Sequence, residues 1–279
     1  MPTAAALEVV HIDPTINIQT SDRCKNPNPH GLWLYNFAPN DDSHGISLEQ
    51  AFAQSCNSFF SKLAVQYLGV GLMRQFAEKF GWGHRIPADF YIPLSPMDVP
   101  VPSESNIQTV GRFAAGFGRV GMSPVHAAWI FNTLANKGRA QALRITRGER
   151  PVMSGSVQEA PIIDEQTSWQ IRQIMHKTVV SGSARGSFHR RRYRGILPHV
   201  GGKTGSLTSQ ELKARITWFA GLMPYENPEV IVSSVVVIDG NRWKIRGPDL
   251  AAEAFYQWSL WKAENEAQAQ IQTISVQRR

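Results

Sequence analysis

Two short strings in the sequence contain residue types that take part in acyl transfer. Ser55-Cys56-Asn57 lies at a predicted helix start, and Lys203-Thr204-Gly205 lies at the end of a predicted strand. A serine hydroxyl needs an adjacent base, and a lysine amine can supply one. Taken singly, Ser55 and Asn57 are equally typical of helix capping, and Lys203 and Thr204 of an exposed strand end with Gly205 as a bulge. Any chemistry therefore depends on whether the fold joins the two strings.

Apolar periodicity predicts an α+β chain in which helices come first, strands follow and one helix ends the sequence. A helix starts at Ser47, where Gln50 completes a capping box, and whether it continues through Ser55 stays open. Residues 13–46 and 85–111 are predicted as loops. The other predicted helices cover residues 1–11, 71–80, 123–138, 164–180 and those from Pro248 on. The predicted strands are 195–204, 214–223 and 229–239, an antiparallel meander.

Composition excludes several classes of protein. The 279 residues are 42% hydrophobic and carry a formal charge of +7, which allows a buried core and gives only weak support for an anionic partner. Two cysteines exclude a disulfide scaffold and a Cys-rich metal site, and whether Cys24 pairs with Cys56 stays open. The eight histidines show no metal spacing, and we expect no metal and no cofactor.

In the order Ser-x-Asn and then Lys-Thr-Gly, the chain resembles the transpeptidase domain of penicillin-binding proteins. That family places Ser-x-x-Lys, Ser-x-Asn and Lys-Thr-Gly around one cleft. The resemblance extends up to about residue 262 and includes His44-Gly45 before SCNSFF, then GRVGMSPVHAAWIFNTLANKG, HKTVVSGSA, VGGKTGS and TWFAGLMP. It implies a β-lactamase/transpeptidase-like α+β fold over residues 1–264, with helices packed on an antiparallel sheet and a polar tail at 265–279.

The resemblance also assigns catalytic roles. Ser55 would relay a proton between nucleophile, base and leaving group, and Asn57 would hold the amide of the substrate. Lys203 would attract the terminal carboxylate of the substrate and polarise Ser55. The implied reaction is peptidoglycan D,D-transpeptidation, in which a serine attacks a D-Ala-D-Ala stem peptide and an amine of a neighbouring strand takes the acyl group. β-Lactams would bind because they mimic D-Ala-D-Ala.

Three further residues of this motif would bind the substrate. Thr204 offers a hydroxyl to the same carboxylate, and Gly205 lets a peptide lie against the strand edge. The backbone N–H of Ser206 matches the family position that supplies one oxyanion-hole donor.

The chain departs from the family at the nucleophile. MPTAAALE resembles the part of the central helix that follows the Ser-x-x-Lys motif, and the one Ser-x-x-Lys in the sequence, Ser259 to Lys262, lies on the predicted C-terminal helix. We therefore expect the nucleophile, the N-terminal strands of the sheet and the membrane anchor to be missing, and the chain to be inactive. Two alternatives are a non-catalytic peptide-binding or docking module of a wall-synthesis complex and a β-lactamase-like hydrolase.

The resemblance places the domain at the periplasmic face of the bacterial inner membrane, with other wall-synthesis proteins as further partners. Contact with the membrane would be through an anchor outside this chain. A basic cluster contains Arg185, Arg190, Arg191, Arg192 and Arg194. We interpret it as a solvated loop, with binding of an anionic polymer, nucleic acid or wall glycan, as the alternative, and we expect no nucleic-acid partner.

Overall fold

The structure is a computed structural model, and it confirms an α+β arrangement of helices packed against a three-stranded antiparallel sheet. It describes residues 1–15, 17–19, 24, 45–99, 107–147, 155, 160–209, 213–239 and 245–277. The helices are α1 Pro2–Glu8, α2 Leu48–Gln54, α3 Asn57–Leu63, α4 Gly69–Lys79, α5 Ile107–Ala114, α6 Pro124–Ala135, α7 Glu165–Val180, α8 Arg185–Phe188 and α9 Gly247–Gln277. The strands are β1 Asn17–Gln19, β2 Gly45–Ser47, β3 Gly201–Ser209, β4 Ala214–Met223 and β5 Val230–Asp239.

The three-stranded sheet has the order β3-β4-β5, so β4 is central. Its register pairs Lys203 with Ala220 and Trp218 with Val235. The predicted first strand, 195–204, was wrong at both ends, because a 3₁₀ turn with Pro198 covers Leu197–His199 and pairing begins only at Gly201. Lys203-Thr204-Gly205 therefore lies within β3, not at its end.

Helix α1 is the centre of the helical layer. Ala4, Ala5, Ala6 and Leu7 are all buried, and α1 contacts α3, α4 and α7. Alanine side chains allow neighbouring helices to approach closely, since they add little bulk to the helix surface. The helix ends at Glu8, three residues before the predicted end.

The chain breaks the predicted helix after Ser47 into two. Ser47 and Gln50 form the expected capping box, with both hydrogen bonds 3.3 Å long. Helix α2 then ends because Ser55 adopts a left-handed conformation with φ of +59°. Helix α3 begins two residues later at Asn57, and this answers the question that the sequence left open.

Short elements lie inside two segments that were predicted as loops. Strands β1 and β2 pair with Ile18 opposite Ile46, both buried, although each strand has only three residues. The loop prediction for 85–111 was wrong at its end, because α5 begins at Ile107. Helix α9 continues past residue 264 to Gln277, over the segment predicted as a polar tail.

Within the part of the chain that the structure describes, no helix is long and apolar enough to cross a membrane. The same residues contain no group of three or more His, Cys, Asp or Glu side chains able to hold a metal ion.

Candidate active site

The end of α2 positions the first site residue, Ser55. Its N–H bonds the carbonyl of Phe52 at 3.1 Å, and the N–H of Cys56 bonds that of Ala51 at 2.8 Å. These bonds hold Ser55 in the left-handed region, which costs a residue with a side chain about 1 kcal/mol. Strain of this kind is common at functional sites, where the surrounding structure imposes it.

Lys203 of β3 contacts Ser55 directly, across 148 residues of sequence. Its Nζ donates to Ser55 Oγ at 2.7 Å and to the carbonyl oxygen of Thr204 at 3.1 Å, and lies 5.5 Å from the ring centre of Phe52. Desolvation by burial lowers the pKa of Lys203 from 10.5 to about 8. The amine is therefore mostly charged at neutral pH, yet it can release a proton at moderate cost.

A turn before α8 closes the same site from a third side. The N–H of Ser183 bonds the carbonyl of Ala53 at 2.8 Å, and Ser183 Oγ lies 2.5 Å from Thr204 Oγ1. Gly182 makes this approach feasible, because a Cβ there would lie 2.2 Å from the Ala53 oxygen. The Ser183 hydroxyl is thus bonded to the hydroxyl of Thr204, the residue that follows Lys203.

Ser183 was not predicted as a site residue. Its only sequence signal is its place in HKTVVSGSA, a segment that the family resemblance includes without a stated role.

The remaining predicted residues lie on α3 and β3, beside Ser55 and Lys203 in sequence. Asn57 is half-buried at the first position of α3. Gly205 pairs with Trp218, and a Cβ at Gly205 would lie 3.2 Å from the Cβ of Trp218, so close packing across the sheet also favours glycine. Ser206 is exposed farther along β3. The other edge of β3 has no partner strand among the described residues.

The serine and lysine of the Ser-x-x-Lys motif, Ser259 and Lys262, are bonded to groups away from Ser55 and Lys203. Ser259 Oγ donates to the Tyr256 carbonyl at 2.7 Å, and Lys262 bonds Glu229 and lies over the ring of Trp258. Both lie on α9, which packs against β4 and β5. This placement indicates a structural role for Ser259 and Lys262.

A disulfide joins Cys24 to Cys56, the residue between Ser55 and Asn57. The sequence had left this pairing open. Cys56 is completely buried, so the bond constrains the segment between α2 and α3 that contains Ser55.

Reduction of this disulfide is expected to lower the free energy of unfolding by roughly 3 to 4 kcal/mol, from the entropy of closing a loop between residues 32 apart. Urea unfolding with and without a reductant measures this change. A variant with Cys24→Ala and Cys56→Ala is the control, because a reductant should not alter its midpoint. Equal midpoints for the oxidised and reduced wild-type chain would contradict the prediction.

Most of this chain matches a known protein family. The family model described as penicillin binding protein transpeptidase domain matches residues 1–257. The chain is similar to peptidoglycan D,D-transpeptidase PbpA of Mycolicibacterium smegmatis, with 24% identity over 261 residues, 90% of this chain and 50% of that protein. It is also similar to stage V sporulation protein D of Bacillus subtilis, with 27% identity over 73% of this chain and 32% of that protein.

Solved structures share the fold. The penicillin G acyl-enzyme complex of penicillin-binding protein A from M. tuberculosis aligns with a TM-score of 0.66 and 23% identity, over 94% of this chain and 58% of that one. The D,D-transpeptidase domain from Eggerthella lenta aligns with a TM-score of 0.65 and 22% identity, over 94% and 63%. The chain thus spans about half the length of the first curated relative, and the fold is that of these transpeptidase domains.

Proposed function

The chain belongs to the family of penicillin-binding protein transpeptidase domains, and from that premise we propose that its cleft binds the D-Ala-D-Ala end of peptidoglycan stem peptides in D,D-transpeptidation. β-Lactams, as mimics of that dipeptide, would occupy the same cleft. The observation that carries the proposal is the 2.7 Å bond from Lys203 Nζ to Ser55 Oγ, because it assembles two separate motifs into one charged, partly desolvated site.

The cleft can hold a terminal carboxylate by charge and by hydroxyl donors. Lys203 supplies a cation whose attraction is stronger because it is partly desolvated. The Thr204 and Ser183 hydroxyls are hydrogen-bonded to each other at 2.5 Å, so one donates to the other and the second can donate its proton to a carboxylate oxygen. The edge of β3 that has no partner strand among the described residues can accept the peptide as an added strand, with the Ser206 N–H as an oxyanion donor.

Ser55 and Lys203 are placed to move the proton of the reaction. In the acylation step of the family, the oxygen of the Ser-x-x-Lys serine would bond the peptide carbonyl carbon, the bond to the terminal D-Ala nitrogen would break, and the serine proton would pass to that nitrogen. Lys203, with its pKa near 8, can exchange a proton through the Ser55 hydroxyl during this transfer. Asn57, at the start of α3, would orient the substrate amide.

The 279 residues as given would bind without forming a covalent adduct. The one Ser-x-x-Lys among them is Ser259 to Lys262, and both side chains are bonded to other groups on or beside α9. The same observation favours a second candidate function, a peptide-binding module that docks in a wall-synthesis complex. A β-lactamase-like hydrolase has no specific observation in its favour.

We place the domain at the periplasmic face of the bacterial inner membrane. The Cys24–Cys56 disulfide supports this location, because disulfides persist in oxidising compartments.

Incubation with penicillin G tests the proposal by intact mass and by thermal unfolding. We expect a higher unfolding temperature and no added mass, since a ligand that binds only the folded state stabilises it. Penicillin G hydrolysed at its β-lactam ring is the control. No temperature shift with penicillin G or with a D-Ala-D-Ala peptide would overturn peptide binding. An adduct would overturn the non-covalent part, and peptide mapping would then examine Ser55 first.

A further inference from the structure

A set of arginines lies immediately beyond the turn that closes the cleft. Arg246 joins them, since its Nη2 donates to Ser187 Oγ at 3.0 Å. We name this set the arginine surface; it consists of Arg185, Arg190, Arg191, Arg192, Arg194 and Arg246. Six cations therefore share one region of the fold.

Two carboxylates of α9 neutralise part of this charge. Asp249 pairs with Arg190 at 3.1 Å and with Arg246 at 3.3 Å, and Glu253 pairs with Arg192 at 2.7 Å. These bonds hold the segment after α8 against α9. Six cations against two carboxylates leave an excess of four positive charges.

The side chains of Arg185, Arg191 and Arg194 are exposed and have no hydrogen-bond or ion-pair partner among the described residues. Their neighbours Phe188 and Tyr193 are buried, and the Tyr193 hydroxyl donates to Glu253 at 2.9 Å. Aromatic side chains therefore anchor this segment, while the three arginines are exposed to water.

The arginine surface is continuous with the cleft. Arg185 lies two residues after Ser183, and its N–H bonds the carbonyl of Gly182 at 3.1 Å within the same turn. Arg185 is therefore the member of the arginine surface nearest in sequence to the contact of Ser183 with Thr204. Guanidinium groups suit a strand that extends past this contact, because they bind carboxylates with two parallel hydrogen bonds.

We infer that the arginine surface binds free carboxylates of stem peptides along a peptidoglycan strand, outside the cleft that holds the peptide end. This inference rests on the proposed function. Single-stranded nucleic acid fits less well, because the aromatic side chains that could stack on bases are buried. A membrane surface also fits less well, since Phe188, Tyr193 and Ile196 are buried and cannot insert.

The test compares two triple variants that each remove three charges. Arg185→Ala, Arg191→Ala and Arg194→Ala remove the exposed arginines of the surface. The control variant has Arg74→Ala, Arg119→Ala and Arg147→Ala, which are exposed elsewhere. Binding to soluble, uncross-linked peptidoglycan strands is measured at low and high salt. We expect the surface variant to bind about tenfold more weakly, because the loss of each exposed ion pair weakens binding roughly twofold. The control variant should bind like the wild type.

Strands with amidated stem peptides should bind the wild type as weakly as free-carboxylate strands bind the surface variant. Equal loss in both triple variants, or no effect of amidation, would overturn the inference. Binding to vesicles with anionic lipid in place of the strands would also overturn it. Penicillin G should raise the unfolding temperature equally in the wild type and in both triple variants. If it does not raise that of the wild type, the proposed function fails, and this outcome is distinct from failure of the arginine-surface inference.

Discussion

Replacing Lys203 by methionine is expected to weaken penicillin G binding at least tenfold. Lys203 supplies the cation that faces the ligand carboxylate, and hydrogen bonds to charged groups contribute about 1.5–3 kcal/mol. The Nζ bond to Ser55 is lost as well, so the serine hydroxyl loses the partner that holds it in the cleft. Titration of the unfolding temperature with penicillin G measures the change in affinity.

The same substitution is expected to stabilise the free chain by roughly 1 kcal/mol. Keeping the Lys203 ammonium charged in this desolvated site costs up to about 3 kcal/mol, given a pKa lowered from 10.5 to about 8. The hydrogen bonds to Ser55 and Thr204 return about 2 kcal/mol of that cost. A gain in stability together with a loss of binding is typical of a functional charge.

The pH dependence gives this prediction a second signature. Above pH 8 folded Lys203 becomes neutral, so the affinity for the carboxylate should fall as pH rises through 8. Stability should change in the opposite direction. The unfolded chain holds its proton up to about pH 10.5, so the penalty of Lys203 is full below pH 8 and declines between pH 8 and 10.5. Both trends should be absent in the Lys203→Met variant.

Lys137→Met is a suitable control for the Lys203 experiments. Lys137 is exposed and pairs with Glu165 at 2.9 Å on the surface. Its replacement changes the net charge equally but should leave ligand binding unchanged. If Lys203→Met bound penicillin G as tightly as Lys137→Met, the carboxylate would have another cationic partner and the proposed orientation of the ligand would be wrong.

The sequence predicts the long elements well because each is specified locally. Ser123 and Asp164 accept from the N–H groups three residues later, as helix caps should, and strands β4 and β5 have the predicted limits within a residue. Each of these boundaries depends on residues that are near neighbours in the chain.

The elements that the sequence misses depend on distant contacts. Ile18 is buried where it pairs with Ile46, and α5 packs against α3 with a bond from Ser61 Oγ to the Gly111 carbonyl. The same dependence on distant contacts limits how much of the site can be predicted from the sequence. No spacing rule relates Ser55 to Lys203, and only the family resemblance predicted that they would meet. Ser183 was missed because its contact with Thr204 exists only after β3 has formed.

Replacing His126 by alanine is expected to destabilise the chain by about 4 kcal/mol. His126 is completely buried on α6, and its ring lies 4.7 Å from that of Trp82. Its Nε2 donates to the Phe80 carbonyl at 2.7 Å, so Nδ1 accepts from the Ser95 hydroxyl at 2.6 Å. Alanine would leave a cavity and two buried polar groups without partners. Urea unfolding measures the loss of stability, and His84→Ala, which replaces an exposed histidine, is the control.

His126 should also make stability depend on pH. Desolvation lowers its pKa from the ordinary 6.5, so the folded chain keeps the ring neutral while the unfolded chain takes up a proton. The contribution of His126 is therefore complete above pH 6.5 and is lost as pH falls toward the folded pKa. The His126→Ala variant should show a smaller loss of stability between pH 7.5 and 5.5 than the wild type. An unchanged pH dependence would mean that another group causes it.

Ligand binding distinguishes the structural role predicted for His126 from the binding role predicted for Lys203. Among the described residues, the ring of His126 is hydrogen-bonded to Phe80 and Ser95, and it makes no bond to Ser55 or Lys203. We therefore expect folded His126→Ala to keep its affinity for penicillin G, although it unfolds more easily, whereas Lys203→Met unfolds less easily and loses affinity. A lost affinity in His126→Ala below its unfolding temperature would show that the helical layer also sets the geometry of the cleft.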